Sequence, residues 1–451
     1  MLEGPLLIAV LILSVLFIIF ATAKLKLHPF LALMFASFIA GFLSLMPFEL
    51  IVESINGGFG SLMGGIGIVI VAGTIIGTVL EKSGAALKMA EVIIRRIGEK
   101  RPQLAMSLVG AIVSIPVFCD SGYVILSSLK KAMARRANVA LASMAVALST
   151  GLFATHTLVP PTPGPIAAAG NLGAEGFLGT IILFGVIVSI PTIAVGYLWA
   201  TRVAVNIKIE GEEHNLSYDD VLKEFGDLPP AWKAFAPLLV PIILIAISSV
   251  LSILQYDGFG SSFAAFLGSP MVALFVGVLF SFLLMPKFDE TTLNDWIGEG
   301  LKTAAPILLI TAAGGAFGRV LTNTPLSDFI EGFVTDSAFS GAFVLILPFL
   351  IAAALKTAQG SSTAALVVTS ALIAPLLPSL GIETSVQLAL TVMAIGAGAM
   401  TVSHVNDSYF WVVAQFSGMK VTDAYKAQTM ATLLQGLTAF TMTFILYLIF
   451  G

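Results

Sequence analysis

Ser114-Ile115-Pro116-Val117-Phe118-Cys119-Asp120-Ser121, followed by Gly122, lies inside the apolar segment 104–129. A helix through it breaks at Pro116, which has no amide donor, and loosens at Gly122. Cys119, Asp120 and Ser121 sit at the break. A carboxyl group at membrane depth is costly and marks a functional site by default. Arg95, Arg96, Lys100 and Arg101 precede the segment, and Lys130, Lys131, Arg135 and Arg136 follow it. Positive residues gather on the cytoplasmic side of a membrane protein. Both flanks therefore belong to one side, and the segment is expected to be a re-entrant hairpin with its tip in the membrane. Irregular backbone persists at that depth only against protein or a water-filled cavity.

The rest of the chain agrees with a membrane setting. Of 451 residues, 57% are hydrophobic and 11% charged, against about 25% charged in soluble domains. Apolar runs approach the roughly 20 residues that span a bilayer as a helix, and no alternating pattern of barrel strands occurs. The fold class expected is an all-α polytopic membrane protein. The single cysteine, Cys119, forms no internal disulfide. The first apolar run has no basic residues before it and reads as a retained helix, not a leader. No Walker A loop and no HExxH motif occurs, so neither an ATP motor nor a zinc hydrolase is indicated, and no cofactor or metal is expected.

Spanning helices are expected at 6–23, 29–46, 61–80, 177–200, 237–254, 263–285, 304–321 and 431–450. Residues 47–60 read as an outer loop, with Glu49 and Glu53 but no Lys or Arg. Residues 287–302 read as an amphipathic stretch. A helix from 139 is interrupted by Pro160-Pro161-Thr162-Pro163-Gly164-Pro165, and one from 386 by Ser403-His404-Val405-Asn406-Asp407-Ser408. A second apolar hairpin, 341–377, has Lys356 and Gln359-Gly360-Ser361-Ser362-Thr363 at its tip. Asp328, Glu331, Asp336 and Glu383 flank it without Lys or Arg, so it opens from outside.

Three landmarks recur in order roughly 240 residues on: Gly73 and Gly77 as Gly314 and Gly318, Asp120 as Gln359, and Thr155-His156 as Ser403-His404. The expected organisation is an N-terminal repeat (1–205), a cytoplasmic linker (206–233) and an inverted C-terminal repeat (234–451), each repeat with one hairpin and one broken helix. Inverted repeats with broken helices at the midplane are the architecture of secondary transporters.

The polar breaks supply the candidate site. Substrate-binding candidates are Asp120, Ser121, Gly122, Thr162, Gln359, Gly360, Ser361, Ser362, Thr363, Asn406 and Asp407. The second tip is favoured for a carboxylate, because amide and hydroxyl donors cluster where a helix starts. Proton-coupling candidates are Asp120, His156, His404 and Lys356; histidine titrates near neutrality, and Lys356 pairs either with an anionic substrate or with Asp120 or Asp407 in an empty site. Each has a structural alternative: backbone capping for Asp120 and Asp407, a bond to a freed carbonyl for the histidines, snorkelling for Lys356. Arg319 reads as an interfacial anchor, Glu81 and Lys82 as structural, and Cys119 as packing.

Val117-Phe118-Cys119-Asp120-Ser121-Gly122-Tyr123-Val124, the proline run at 160–165 and Val402-Ser403-His404-Val405-Asn406-Asp407-Ser408-Tyr409-Phe410-Trp411 together resemble the gluconate permease (GntP) family over nearly the whole chain. The resemblance implies proton-coupled uptake of gluconate or a related sugar acid, D-serine transport in some members, membership of the ion-transporter superfamily and a location in the cytoplasmic (inner) membrane. It also suggests a homodimer. Some members carry histidine where this chain has Thr162, and Asp120 is not shared by all.

The leading expectation is a proton symporter, with sodium coupling or D-serine as the alternative. A channel would show polar stripes along whole helices, and an intramembrane enzyme a nucleophile with its base; neither pattern is present. The partners expected are a small carboxylate, protons and the lipid bilayer, with no nucleic acid. Both termini are expected outside. Cysteines at Glu99 and Ala134 test the first hairpin: both should label from the cytoplasmic face, and labelling from opposite faces contradicts it.

Overall fold

The computed structural model describes all residues except 3, 5, 99, 210–226, 254–257, 259, 288 and 326–340. Glu99, most of the linker and the acidic residues Asp328, Glu331 and Asp336 lie outside the described residues. The described residues form helices and turns, with no strand among them. Among the described residues, seven helices are long and apolar enough to cross a membrane, or eight if one bent pair counts as a span.

The first half contains α1 (Leu6–Ala23), α2 (Pro29–Leu43), α3 (Phe48–Lys82), α4 (Ala85–Ile93), the hairpin of α5 (Pro102–Val113) and α6 (Cys119–Ile125), α7 (Ser127–Arg136), the broken pair α8 (Leu141–Leu158) and α9 (Pro163–Asn171), and α10 (Leu178–Arg202). The second half contains α11 (Ala231–Ile253), the bent pair α12 (Ser261–Gly268) and α13 (Pro270–Phe282), α14 (Glu290–Thr322), and the hairpin of α15 (Ile346–Gln359) and α16 (Ser362–Ile373). The broken pair α17 (Ser385–Met400) and α18 (Ser408–Ser417), short α19 (Val421–Ala424) and α20 (Met430–Phe450) follow. Long helix, hairpin, broken helix and final helix thus follow in the same order in both halves.

Three expectations are corrected. Residues 47–60 are the first turns of α3, a helix of 35 residues, not a loop. Their glycines, which read as loop composition, serve helix packing: a Cβ on Gly58 would strike the carbonyl of Gly315 in α14. Residues 287–302 are not a separate amphipathic element but chiefly the start of α14, a helix of 33 residues. The span expected at 263–285 bends by 68° between α12 and α13, because Pro270 disfavours a helical residue before it.

Helices α3 and α14 pack antiparallel along most of their length. Lys82 at the end of α3 pairs with Glu299 near the start of α14, while Asn323 at the end of α14 donates to Ser54 Oγ near the start of α3 at 2.8 Å. Against this pair sit the hairpins and broken helices. Gly73 and Gly77 let α3 approach the proline break and the first hairpin tip, since side chains there would strike the carbonyls of Pro161 and Pro116. Gly314 and Gly318 do not repeat that contact; both meet Ala371 in α16.

Packing between the halves is reciprocal. α5 packs on α8 and α15 on α17, while α6 packs on α18 and α16 on α9. The second arm of each hairpin therefore rests on the second arm of the other half's broken helix.

Ala134 is buried, so exposed positions must carry the labelling test. Cysteines at Lys100 and Arg135, which flank the first hairpin and are both exposed, should react with an impermeant thiol reagent from one face of the membrane. Reaction from opposite faces contradicts a hairpin.

Candidate functional site

The second tip forms where α15 ends. Gly360 takes a φ of 78°, open to glycine without strain, and a Cβ there would collide with the carbonyl of Asn406. The chain then turns into α16, with Ser361 as the N-cap: its Oγ accepts from the amide of Ala364 at 3.2 Å. That hydroxyl oxygen therefore serves the helix as well as any ligand. Ser362 and Thr363 occupy the first turn.

The break between α17 and α18 lies against this tip. Asn406 Nδ2 donates to the Ala358 carbonyl at 2.6 Å, and His404 Nε2 donates to the Thr357 carbonyl at 3.0 Å. His404 is thus bonded to a freed helix carbonyl, the structural alternative for this residue. Val402 sits at a φ of 59°, an outlier for a β-branched residue. Its neighbour Ser403 is held on both sides, by Thr432 Oγ1 at 2.9 Å and Thr429 Oγ1 at 2.6 Å.

Lys356 Nζ reaches Asp407 Oδ2 at 2.7 Å, and the two side chains are 0% and 4% exposed. The remaining valences are well used. Ser403 Oγ donates to Asp407 Oδ2 at 2.5 Å, and the Tyr409 amide donates to Asp407 Oδ1 at 3.1 Å, capping α18. Lys356 also donates to the Gly360 carbonyl at 3.2 Å and lies 5.4 Å from the Phe153 ring centroid. Of the partners open to Lys356, the structure selects Asp407, and snorkelling is excluded by its burial.

The first half contributes from the other side. Ser408 Oγ donates to Asp120 Oδ1 at 3.3 Å, and Cys119 Sγ lies 3.5 Å from Asp120 Oδ2. Among the described residues, Asp120 is therefore held by side chains of both halves and not by backbone amides. It is the second residue of α6, whereas Gln359 is the last of α15; the two are not equivalent in helix position. The ring of Phe118 packs 5.7 Å from that of His156. Gly164 lies against Thr363 and Leu366, which brings the proline break to the second tip. Thr162 donates to its own Val159 carbonyl at 2.7 Å. Gly122 is buried within α6 against Leu152, so it packs and does not form the break. α6, which carries Ser121, packs on α3, which connects that long helix to the first tip.

Two of these residues hold buried polar atoms without a hydrogen-bond partner: both amide atoms of Gln359, and Nδ1 of His156. Such atoms are rare in native interiors. Among the described residues no group of three or more acidic, histidine or cysteine side chains is placed to hold a metal.

Sequence reasoning missed a second buried lysine. Lys130, read as part of a cytoplasmic flank, is fully buried. It donates to Ser417 Oγ at 2.8 Å, Tyr123 OH at 3.0 Å and the Phe416 carbonyl at 3.4 Å. It thus ties α7 to the C-terminal end of α18, where a cation is favoured by the helix dipole. Tyr409, part of the 402–411 motif, also joins the cluster: its ring lies tilted 5.1 Å from that of Phe153 and its hydroxyl donates to the Ser149 carbonyl at 2.9 Å.

Broken helices whose polar breaks meet two hairpin tips inside a helical membrane protein define a transporter-type site. Residues 6–449 match the GntP family permease profile. An uncharacterised permease of Haemophilus influenzae is 34% identical over 430 residues, covering 92% of this chain and 86% of its own. A gluconate permease of Pseudomonas aeruginosa is 33% identical over 414 residues, 90% of each chain. A D-serine transporter of Escherichia coli is 30% identical over 453 residues, 97% of this chain and 98% of its own. In fold, the crystal structure of the Alcanivorax borkumensis YdaH transporter superposes with a TM-score of 0.63 at 15% identity, covering 88% of this chain and 87% of its own. The chain belongs to the GntP family of permeases. It is a multi-pass membrane transporter and not an enzyme.

The ion pair makes a stability prediction. Lys356→Met or Asp407→Leu alone leaves one buried charge unpaired, at a cost of about 3–5 kcal/mol. The double substitution removes both charges and should be much milder than the sum. Thermal unfolding of the purified protein in detergent reads the cycle; additive losses would mean that the two side chains do not depend on each other.

Proposed function

We propose that this permease takes up gluconate or a related small hydroxy acid across the cytoplasmic membrane together with a proton. The halves 1–205 and 234–451 then act as inverted repeats around the linker 206–233, with both termini outside, and expose the site alternately to each side. The observation that supports this reading best is the buried Lys356–Asp407 pair at the meeting of the second tip and the second break.

Lys356 is the cation available to a substrate carboxylate at that tip. The arriving anion shares it with Asp407, while the amides at the start of α16 and the side chain of Gln359 take up its oxygens. Entry of the anion alone adds one negative charge to a buried site, which is strongly disfavoured. Entry of the anion with a proton leaves the net charge unchanged. Asp120 is the natural carrier, because its contacts are only a hydroxyl and a thiol, whereas Asp407 is committed to Lys356 and to capping α18. Buried His156, with its open Nδ1, is the next acceptor in line, and His404 is committed to Thr357.

The same neutral pair suits a second substrate class. A zwitterion such as D-serine offers a carboxylate to Lys356 and an ammonium to Asp407, and needs no proton for charge balance. The name of one relative favours keeping this reading. Sodium coupling remains the variant of the same scheme in which a metal ion brings the balancing charge.

Proteoliposomes separate these readings. Labelled gluconate should accumulate in response to an inward proton gradient, and D-serine, if carried, should not follow that gradient. Asp120→Asn copies the protonated acid and cannot release it, so this variant should retain gluconate counterflow but lose gradient-driven accumulation. Accumulation at the wild-type level in Asp120→Asn removes Asp120 from the coupling role. Dependence on sodium instead of pH replaces the proton.

A further inference from the structure

A cavity of about 470 Å³ lies well away from the tips, between α3, the end of α9, the end of α14 and the end of α16. Its polar lining includes Arg319, Asn171, Thr322, Asn323 and Ser61. Thr363 and Ala371 are eight residues apart on α16, so the cavity is displaced from the second tip by about 12 Å along that helix. Its size lies in the usual range for small-molecule sites.

The charge at this end of the molecule is uneven. The start of α3 carries Glu49 and Glu53, Glu175 follows α9, and Glu383 follows the second hairpin. The basic residues that follow α1, flank the first hairpin and precede α14 lie toward the opposite end, where Lys82 meets Glu299. Arg319 is the exception. Among the described residues it has no acidic partner, and it lines the cavity. The Arg319 side chain lies alongside Gly57 of α3, where a Cβ would stand 3.5 Å from Nε, in ordinary contact. Arg319 is exposed, as an interfacial anchor would be, and it lies alongside α3 at the rim of this polar hollow.

Asn171 adds the second observation. Its Nδ2 is committed to the Val367 carbonyl at 3.0 Å and Ser370 Oγ at 2.9 Å, which fixes the amide. Its buried Oδ1 has no hydrogen-bond partner. A guanidinium beside the neutral hydrogen-bonding side chains of Asn171, Thr322, Asn323 and Ser61 matches a hydroxylated carboxylate.

We infer that this cavity is a second, outer binding site for a hydroxy-acid anion, in which Arg319 holds the carboxylate before the anion reaches the Lys356 tip. The identity of the anion rests on the reading of gluconate as substrate; the charge selectivity of the cavity does not. On an acidic face the site raises the local concentration of the anion, so it acts on apparent affinity from outside and not on maximal rate.

Two measurements test it. In Thr322→Cys, a substitution at an exposed cavity position, a sulfonate-bearing methanethiosulfonate should react faster than its trimethylammonium counterpart, and gluconate should slow both. Arg319→Gln in the same background should reverse the order. The parent chain, whose one cysteine is the buried Cys119, is the blank. In proteoliposomes, Arg319→Gln should raise the external KM for gluconate about tenfold with the maximal rate kept, and Arg319→Lys should recover most of the loss. Labelling indifferent to reagent charge, or a wild-type KM in Arg319→Gln, overturns the proposal. A wild-type protein that carries no gluconate would instead contradict the substrate reading, and labelling by the charged reagents would still decide the cavity.

Discussion

The Lys356–Asp407 ion pair is the interaction on which the rest of the arrangement depends. Two charges removed from water are costly unless their geometry is good and their other valences are filled. Here Ser403, the Tyr409 amide and the Gly360 carbonyl fill them. Those partners come from a hairpin tip and a helix break that are separate in sequence. The pair therefore fixes the tip against the break, and the break in turn brings Ser408 to Asp120 of the other half.

That junction needs close approach of backbones, which glycines permit. Gly58 against Gly315 brings α3 and α14 together, Gly73 and Gly77 bring α3 onto two of the four polar breaks, and Gly360 admits the Asn406 carbonyl. Small residues at such positions are a common means of packing helices where lipid offers no hydrophobic drive. Irregular backbone at membrane depth needs protein partners, and here the carbonyls of Thr357, Ala358 and Gly360 meet His404, Asn406 and Lys356.

Much of this was legible in the sequence, for definable reasons. Pro116, the proline run at 160–165 and the polar run at 403–408 each force a break, so hairpins and broken helices could be placed. A buried lysine or aspartate in an apolar chain must find a partner, so Asp407 was among the partners open to Lys356. What failed was local. The glycines of 57–60 have the composition of a loop, and only the opposing face of α14 shows that they are a helix contact. Lys130 reads as a surface charge in a basic cluster, and only the fold reveals Ser417 and Tyr123 around it. Gly122 looks like a breaker but is a packing residue under Leu152. The equivalence of Asp120 and Gln359 rested on spacing, which is blind to whether a residue ends one helix or begins the next.

The central claim is that a substrate anion joins a buried, charge-balanced pair and must bring a proton. Calorimetric titration of the purified permease with gluconate, repeated in buffers of different ionisation heat, counts protons taken up on binding and involves no transport step. The account predicts uptake of about one proton per gluconate bound near neutral pH, and that uptake should vanish in Asp120→Asn. Binding of gluconate by the unmodified protein with no proton uptake would contradict it.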